Sequence, residues 1–387
     1  MKAQVAIVGA GMTQFGKLKG EMREIHAEAV RLTLEDTSIS AKDIDAMYVG
    51  TWTPDLFLNQ LFPAPMLADS LGLNNIPVSR VEDACATGSV AFRQAAMAVM
   101  SGLHRLVLVT GVEVMTQRPT RECVKTIAYA SDRLWEQPFG ITFPSSYALL
   151  ASRHMHKYGT TPEQLAAVSV KNHRYSAKNP KAQYGEVTLE QVLSSKMVSW
   201  PLRLLDCCPI SDGAAALVIA RAEEAKKYTD TPVYVLGSGQ ARASLSLHDR
   251  PSLTSIPSTK QAAETAYRMA GVEAGDVDVA EVHDCFTIAE ILAVEDLGFF
   301  KKGEGGKAVE EGSTEIGGKI PVNVSGGLLG KGHPIGATGV AQMVEIFEQL
   351  RGESGSRQVP GAEIGLTHNV GGTGGVVTVH IFSVKGG

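Results

Sequence analysis

The order of elements in the first half of the chain recurs in the second, and no other feature restricts the fold so strongly. The front opens on the strand-like Val5–Gly9 and the back on Val233–Gly237. An Ala-rich helical stretch follows each, then Ala41-Lys42-Asp43-Ile44-Asp45 in one copy and Ala274-Gly275-Asp276-Val277-Asp278 in the other. Each copy next enters an apolar strand, Ala46–Val49 or Val279–Val282. A short strand then leads to a helix opening near Cys85; its counterpart, Pro321–Val324, leads through glycines to a helix opening near His333. Each half closes on two strands, Leu106–Val109 and Ala214–Ile219 in front, Ile364–Leu366 and Val376–His380 behind. Strands alternating with helices predict an α/β fold of mostly parallel sheets covered by helices, and the repeat predicts two similar layers packed together. Pseudo-twofold packing would bring the helix starts at Cys85 and His333 to one place.

Between the last two strands of the front half runs a stretch too long for a simple connection, about Thr116 to Leu205. The expected organisation is a first half of residues 1–115 and 206–229, an inserted loop subdomain at 116–205, and a second half at 230–387. The insertion carries the polar run Lys171–Lys181, which gives it a locally basic surface. That run reads either as a solvated helix end or as a place for phosphate.

With 387 residues the chain can bury a large core, and a formal net charge of −5 supplies no basic field for nucleic acid. No apolar run reaches transmembrane length, and Met1–Gln4 leads straight into a strand, so neither a membrane span nor a signal peptide is expected. Five cysteines without a framework spacing, Cys85, Cys123, Cys207, Cys208 and Cys285, indicate reduced thiols and a cytoplasmic setting.

Cys85 sits among small residues where a helix begins, facing free backbone N–H groups and the positive end of the helix dipole, which favour thiolate over thiol. Three motifs follow strands in the back half: His283-Asp284-Cys285-Phe286, the glycine-rich Gly326–Gly339 around His333, and His368-Asn369-Val370-Gly371 running into Gly372–Gly375. A thiol nucleophile needs a base, donors for the oxygen of the carbonyl it attacks, and a second acid/base for another reactant. Two histidines, a second cysteine and bare glycine backbone are those parts.

These motifs resemble those of the thiolase superfamily over essentially the whole chain, duplicated halves and insertion included. His283-Asp284-Cys285-Phe286 with His368-Asn369-Val370-Gly371 is similar to the sterol-carrier-protein-type and archaeal thiolases, and Gly332-His333-Pro334 is shared across the superfamily. The chain departs from the best-known thiolases, which carry Asn-Glu-Ala-Phe and Cys-x-Gly. His283 stands in place of that asparagine, and Asn369 in place of the second catalytic cysteine.

The resemblance implies two duplicated βαβαβαββ halves forming a five-layered αβαβα sandwich. It also implies Cys85 as the acyl-accepting nucleophile, His333 as its base, His283 with His333 holding a thioester oxygen, and Cys285 as the acid/base. Asn369 and Gly371 would serve the oxyanion hole and substrate, with the amides of Cys85 and Gly371 as its donors. The implied reaction is that of an acetyl-CoA C-acetyltransferase of the mevalonate route, making or cleaving acetoacetyl-CoA. Acyl-CoA thioesters would be the substrates, their phosphates near the basic run, with no cofactor and no metal. Expected partners are a second copy in a dimer or tetramer, a zinc-ribbon/OB-fold protein, and HMG-CoA synthase, the next enzyme of that route; neither nucleic acid nor membrane is expected. The competing readings are a β-ketoacyl synthase on a carrier protein, an acyltransferase with a non-CoA acceptor, and a non-catalytic acyl-CoA-binding scaffold.

Several signals carry less. Gly9-Ala10-Gly11 lacks the third glycine of a dinucleotide turn, and Gly330-Lys331 lacks the Ser or Thr of a P-loop. Cys207-Cys208 and His154/His156 lack metal-ligand spacing. The apolar Trp52–Phe62 reads as core or subunit interface.

Overall fold

The computed structural model describes residues 3–35 and 37–386. In chain order the first half runs β1 (Val5–Met12), α1 (Met22–Glu35), β2 (Ala46–Gly50), α2 (Pro54–Leu58), α3 (Pro63–Ser70), β3 (Val78–Val81), α4 (Thr87–Met100) and β4 (Leu106–Glu113). The insertion supplies α5 (Thr120–Ile127), α6 (Phe143–Tyr158), α7 (Pro162–Ser176), α8 (Leu189–Ser194) and the small hairpin β5 (Met197–Ser199) and β6 (Leu202–Arg203). The first half then closes on β7 (Gly213–Arg221). The second half runs β8 (Val233–Arg242), α9 (Pro257–Ala270), β9 (Val279–Glu281), α10 (Thr287–Asp296), α11 (Gly305–Glu310), α12 (Ile335–Arg351), β10 (Ile364–Gly371) and β11 (Val376–Ser383).

The strands line up as β3-β2-β4-β7-β1-β8-β11-β10-β9, so the two half-sheets mirror each other across a β1–β8 seam of three residue pairs. The expectation of mostly parallel sheets needs correction. Parallel pairing is confined to β3-β2-β4 and β9-β10, and the seam-side strands of both halves are antiparallel. The physical reason is that each half ends by returning a strand beside its first strand, which antiparallel neighbours permit through a short or laterally inserted connection. The predicted strand at Pro321–Val324 shrinks to a single bridge between Val322 and Ala280.

Period-two alternation sorts these strands into layers. Along β4, Leu106 and Leu108 pack with α1 and α3, while Val107 and Val109 face α4 and α12; along β7, Ala216 and Val218 point outward and Leu217 and Ile219 inward. Helix α1 has one apolar stripe, Met22, Ile25, His26, Ala29, Val30 and Thr33, at the spacing of an outer helix. Nearly every residue of α12 is buried, which marks a helix covered on all sides. It packs on α4 between the inner faces of both half-sheets, while α9 and α10 cover the far side of the second half.

Helices α4 and α12 meet closely at their N-termini because glycines stand at the contact. A Cβ on Gly336 would lie 2.7 Å from the carbonyls of Gly50 and Val112, and one on Gly88 would lie 2.6 Å from that of Gly336. This contact draws Cys85 and His333, each two residues ahead of its helix, to the same spot.

The insertion is closed at its neck by Asp212, which accepts the amides of Met115 and Thr116 at 2.6 and 2.8 Å. Three cations of its basic run are paired with carboxylates, which narrows the expected basic surface and leaves Lys178 exposed. Lys171 is buried against Glu290 at 2.7 Å, Arg174 pairs with Glu315 and Lys181 with Glu348. The Trp52–Phe62 stretch divides: Trp52 and Phe57 are core, whereas Leu61 and Phe62 are 75% and 73% exposed.

Candidate active site

Cys85 is held on a strained turn between β3 and α4. Ala84 takes φ +49°, left-handed backbone that costs a non-glycine residue about 1–2 kcal/mol. Side chains secure it: the Ala84 amide donates to Glu82 at 2.7 Å, and Thr87 accepts the Asp83 amide at 2.8 Å while donating to the Ala84 carbonyl at 2.6 Å. From sequence the cysteine belongs in the first helical turn; it lies just before it, and the helix starts at Thr87.

Burial works against the expected thiolate. Burial pushes the Cys85 thiol up to about 12, opposed by the Gly372 amide that hydrogen-bonds its sulfur. Desolvation of this kind disfavours the thiolate.

Two histidine rings stand over it. The ligand atoms of Cys85, His283 and His333 lie within 4.8 Å of one another, and the rings meet edge to face at 5.2 Å. Burial lowers both, His333 to about 3, so both are neutral imidazoles. The hydrogen-bond network assigns their tautomers. Thr338 donates its hydroxyl proton to the Pro334 carbonyl at 2.9 Å, so its oxygen accepts the Nδ1–H of His333 at 2.6 Å. Nε2 of His333 is left a bare lone pair.

For His283 the assignment is reversed, because the Asn369 amide nitrogen faces Nδ1 at 3.1 Å and makes it the acceptor. Its proton then sits on Nε2. Neither Nε2 has a partner among the described residues. One ring is therefore a base and the other a donor, both beside the thiol.

Buried hydrogen bonds lock the motif that carries His283. Asp284 accepts the amides of Leu328 and Leu329 and, at 2.7 Å, the side chain of Asn172, which also donates to Glu290. Burial and the nearby Glu290 push Asp284 up. The part of the polar run nearest the site thus holds the His283 motif in place.

Cys285 is buried, and it lines with Cys85, His333 and Gly372 a cavity of about 510 Å³. The walls are largely apolar: Met115, Val124, Ile127, Phe143, Val198, Leu204 and Ile335.

Of the residues expected from sequence, Cys85, His283, His333 and Cys285 come together. Asn369 and Gly371 stand one layer behind. Asn369 backs His283, and Gly371 packs under the Asp83 carbonyl, which a Cβ would meet at 2.6 Å. Gly372, the next residue, lines the cavity with Cys85.

Sequence reasoning missed Cys207 and Cys208, which line the cavity, as well as Thr338 and Tyr147. Thr338, five residues beyond His333 in the same glycine-rich motif, was the one legible from sequence. The Cys85–His283–His333 spacing would also suit a metal ion; Cys207/Cys208 and His154/His156 form no such group among the described residues. His154 is instead bonded to Thr160 and Glu295.

A duplicated α/β fold with a thiol and two neutral imidazoles where the halves' central helices begin defines an acyl-transferring thiol enzyme. Residues 5–223 match the thiolase N-terminal domain and residues 239–384 the thiolase C-terminal domain-like family, and the chain belongs to the thiolase family. Within it, the chain is 54% identical to the acetyl-CoA acetyltransferase of Methanothermobacter thermautotrophicus, over 98% of this chain and 99% of that one. It is 36% identical to sterol carrier protein 2 of Bos taurus, over 99% of this chain and 73% of the relative. Among solved structures, the Ltp2-ChsH2(DUF35) aldolase superposes with a TM-score of 0.86 at 29% identity, covering 99% of this chain and 98% of that one.

Proposed function

We propose that this thiolase is an acetyl-CoA C-acetyltransferase, joining two acetyl-CoA into acetoacetyl-CoA and CoA and running the reverse thiolysis. The observation that carries the reading is the convergence of the Cys85 sulfur with the rings of His283 and His333, their ligand atoms within 4.8 Å of one another and both Nε2 atoms free to meet a substrate. The similarity to archaeal acetyl-CoA acetyltransferases supplies the acyl group.

The chemistry starts from neutral groups. Nε2 of His333 takes the Cys85 proton as the sulfur attacks the thioester carbonyl, and the tetrahedral oxyanion faces the amides at the turn, those of Cys85 and Gly372. Collapse leaves acetyl-Cys85 and expels CoA thiolate, which takes the proton of Cys285. The site now holds a Cys285 thiolate and a His333 imidazolium. A second acetyl-CoA places its thioester oxygen between His283 and His333, both now donors, and Cys285 removes an α-proton. The enolate attacks acetyl-Cys85; the Cys85 sulfur leaves and recovers its proton from His333. Every group returns to its starting state.

The acyl group and its thioester would enter the apolar cavity. The partners are proposed on weaker grounds. A homo-oligomer is supported by exposed apolar side chains such as Leu61 and Phe62. A small partner subunit, expected to be a zinc-ribbon/OB-fold protein, is supported by the ChsH2(DUF35) component seen with the 29% identical relative. The role proposed is a cytoplasmic one in the mevalonate route; no helix among the described residues is long and apolar enough to cross a membrane.

The test is acetoacetyl-CoA turnover. With CoA present, the wild type should convert it to acetyl-CoA, and Cys85→Ala should lose at least about 10³-fold. An alanine variant as active as the wild type would sink the reading.

A further inference from the structure

Three residues that serve acyl transfer also form a donor set for a metal ion. The sulfur of Cys85 and one ring nitrogen each of His283 and His333 lie within 4.8 Å of one another. Nδ1 of His333 meets Thr338 at 2.6 Å and Nδ1 of His283 meets Asn369 at 3.1 Å, so Nε2 is the free nitrogen of both rings. Both Nε2 atoms are buried without a hydrogen-bond partner among the described residues, and the two histidines are only 1% and 6% exposed. A buried nitrogen of that kind has given up water and gained nothing in exchange, a cost that a ligand removes.

We propose that Cys85, His283 and His333 bind a divalent ion of the zinc class, which shuts the enzyme off reversibly by occupying the nucleophile and both ring nitrogens. Zinc holds thiolate at about 2.3 Å and imidazole at about 2.0 Å in a tetrahedral shell, which sets its donors about 3.3–3.6 Å apart. Donors within 4.8 Å reach that spacing by closing in by at most about 1.5 Å. On binding, the S–H bond of Cys85 breaks, a sulfur–metal bond forms and the proton passes to solvent; no electron is transferred. The fourth position faces the cavity that Cys85 and His333 line, and water fills it.

The groups behind the donors suit this use. Thr338 accepts the Nδ1–H of His333, the outer hydrogen bond that orients a ligating imidazole and leaves its Nε2 lone pair for the ion. His283 has to carry its proton on Nδ1 instead of Nε2, and Asn369 permits the exchange. Turning its amide over replaces the nitrogen that faces Nδ1 by Oδ1, which has no partner where it stands. The carboxylates of the neighbourhood are committed to backbone amides, Asp284 to those of Leu328 and Leu329 and Glu113 to those of Trp52 and Gly336. One thiolate with two imidazoles selects Zn2+, Cd2+ or Co2+ over Mg2+ and Ca2+, which require oxygen ligands.

Co2+ is the probe, because its bond to a thiolate gives a near-ultraviolet charge-transfer band and a tetrahedral shell gives strong visible bands. Chelator-treated wild type should show both with one equivalent of Co2+; Zn2+ should abolish them and Mg2+ should not. Cys85→Ala should lose the charge-transfer band, and Cys285→Ala, which leaves the three donors in place, should keep it. Thr338→Val should weaken Co2+ binding about 10- to 100-fold. Zn2+ should also block acetylation of Cys85 by acetyl-CoA until a chelator removes it, the one readout that rests on the proposed reaction. A charge-transfer band retained in Cys85→Ala would place the ion on another thiol, and that result, or no band on the wild type, would overturn the proposal. Because the spectra are read without turnover, such a failure leaves the acetyltransferase reading intact.

Discussion

Thr338 decides which nitrogen of His333 is free. Because its hydroxyl proton is already committed to Pro334, it can only accept from Nδ1, and the base must be Nε2. Thr338→Val keeps the shape and removes this control, so steady-state condensation should drop about 10- to 100-fold with the fold intact. Unchanged kcat in a folded variant would show that the tautomer is set by something else. Single residues were legible in the sequence where chemistry demands a rare type, as with Cys85, His283, Cys285 and His333. Asn369 was legible as important, but that its side chain backs His283 was not, since whether a side chain faces the substrate or another residue depends on strand facing. Tyr147 was not legible, because an aromatic in an apolar helix face looks like ordinary core until its hydroxyl partner, 225 residues away, is known.

At the scale of elements, the packing of α4 on α12 sets the distance between nucleophile and base. Gly336→Ala would press a methyl group against the carbonyls of Gly50 and Val112. Overpacking of that kind costs about 1–3 kcal/mol and would shift the α12 start that carries His333. Both stability and turnover should fall, and a denaturation midpoint equal to wild type would contradict the close contact. The repeat marks these two helices as equivalents in the amino-acid sequence itself. It does not reveal strand direction, because an inward-facing apolar strand has the same composition in parallel and antiparallel pairings. Nor does it reveal that Lys171, Arg174 and Lys181 of the polar run are taken. Their partners, Glu290, Glu315 and Glu348, lie more than a hundred residues away.

Several buried histidines and carboxyls are held towards their uncharged forms, and acid should expose this. Burial lowers His26 to about 4 and His333, His368 and His380 each to about 3, against 6.5 when unfolded. A depressed folded value means stability present above pH 6.5 and lost as pH falls towards 3, because the unfolded chain binds the protons first. Burial raises the carboxyls of Glu113, to about 7, and of Asp284, Glu281 and Asp206, which run the other way: they gain stability as pH falls from about 7 to about 4.5. The two sets oppose each other down to about pH 4.5. Below that the carboxyls are protonated in both states and the histidine loss stands alone. Chemical denaturation followed across pH should therefore show stability nearly level from about 6.5 to 4.5 and falling steeply beneath; a steep fall centred near pH 6 would contradict the offset.

That two half-sheets and their central helices assemble one thiol–imidazole site for acetyl transfer is the central claim, and intact mass after brief exposure to acetyl-CoA tests it most directly. The account predicts one acetyl adduct per chain, absent in Cys85→Ala, that disappears as acetoacetyl-CoA forms. An adduct that persists in Cys85→Ala, or no adduct on the wild type, would contradict it.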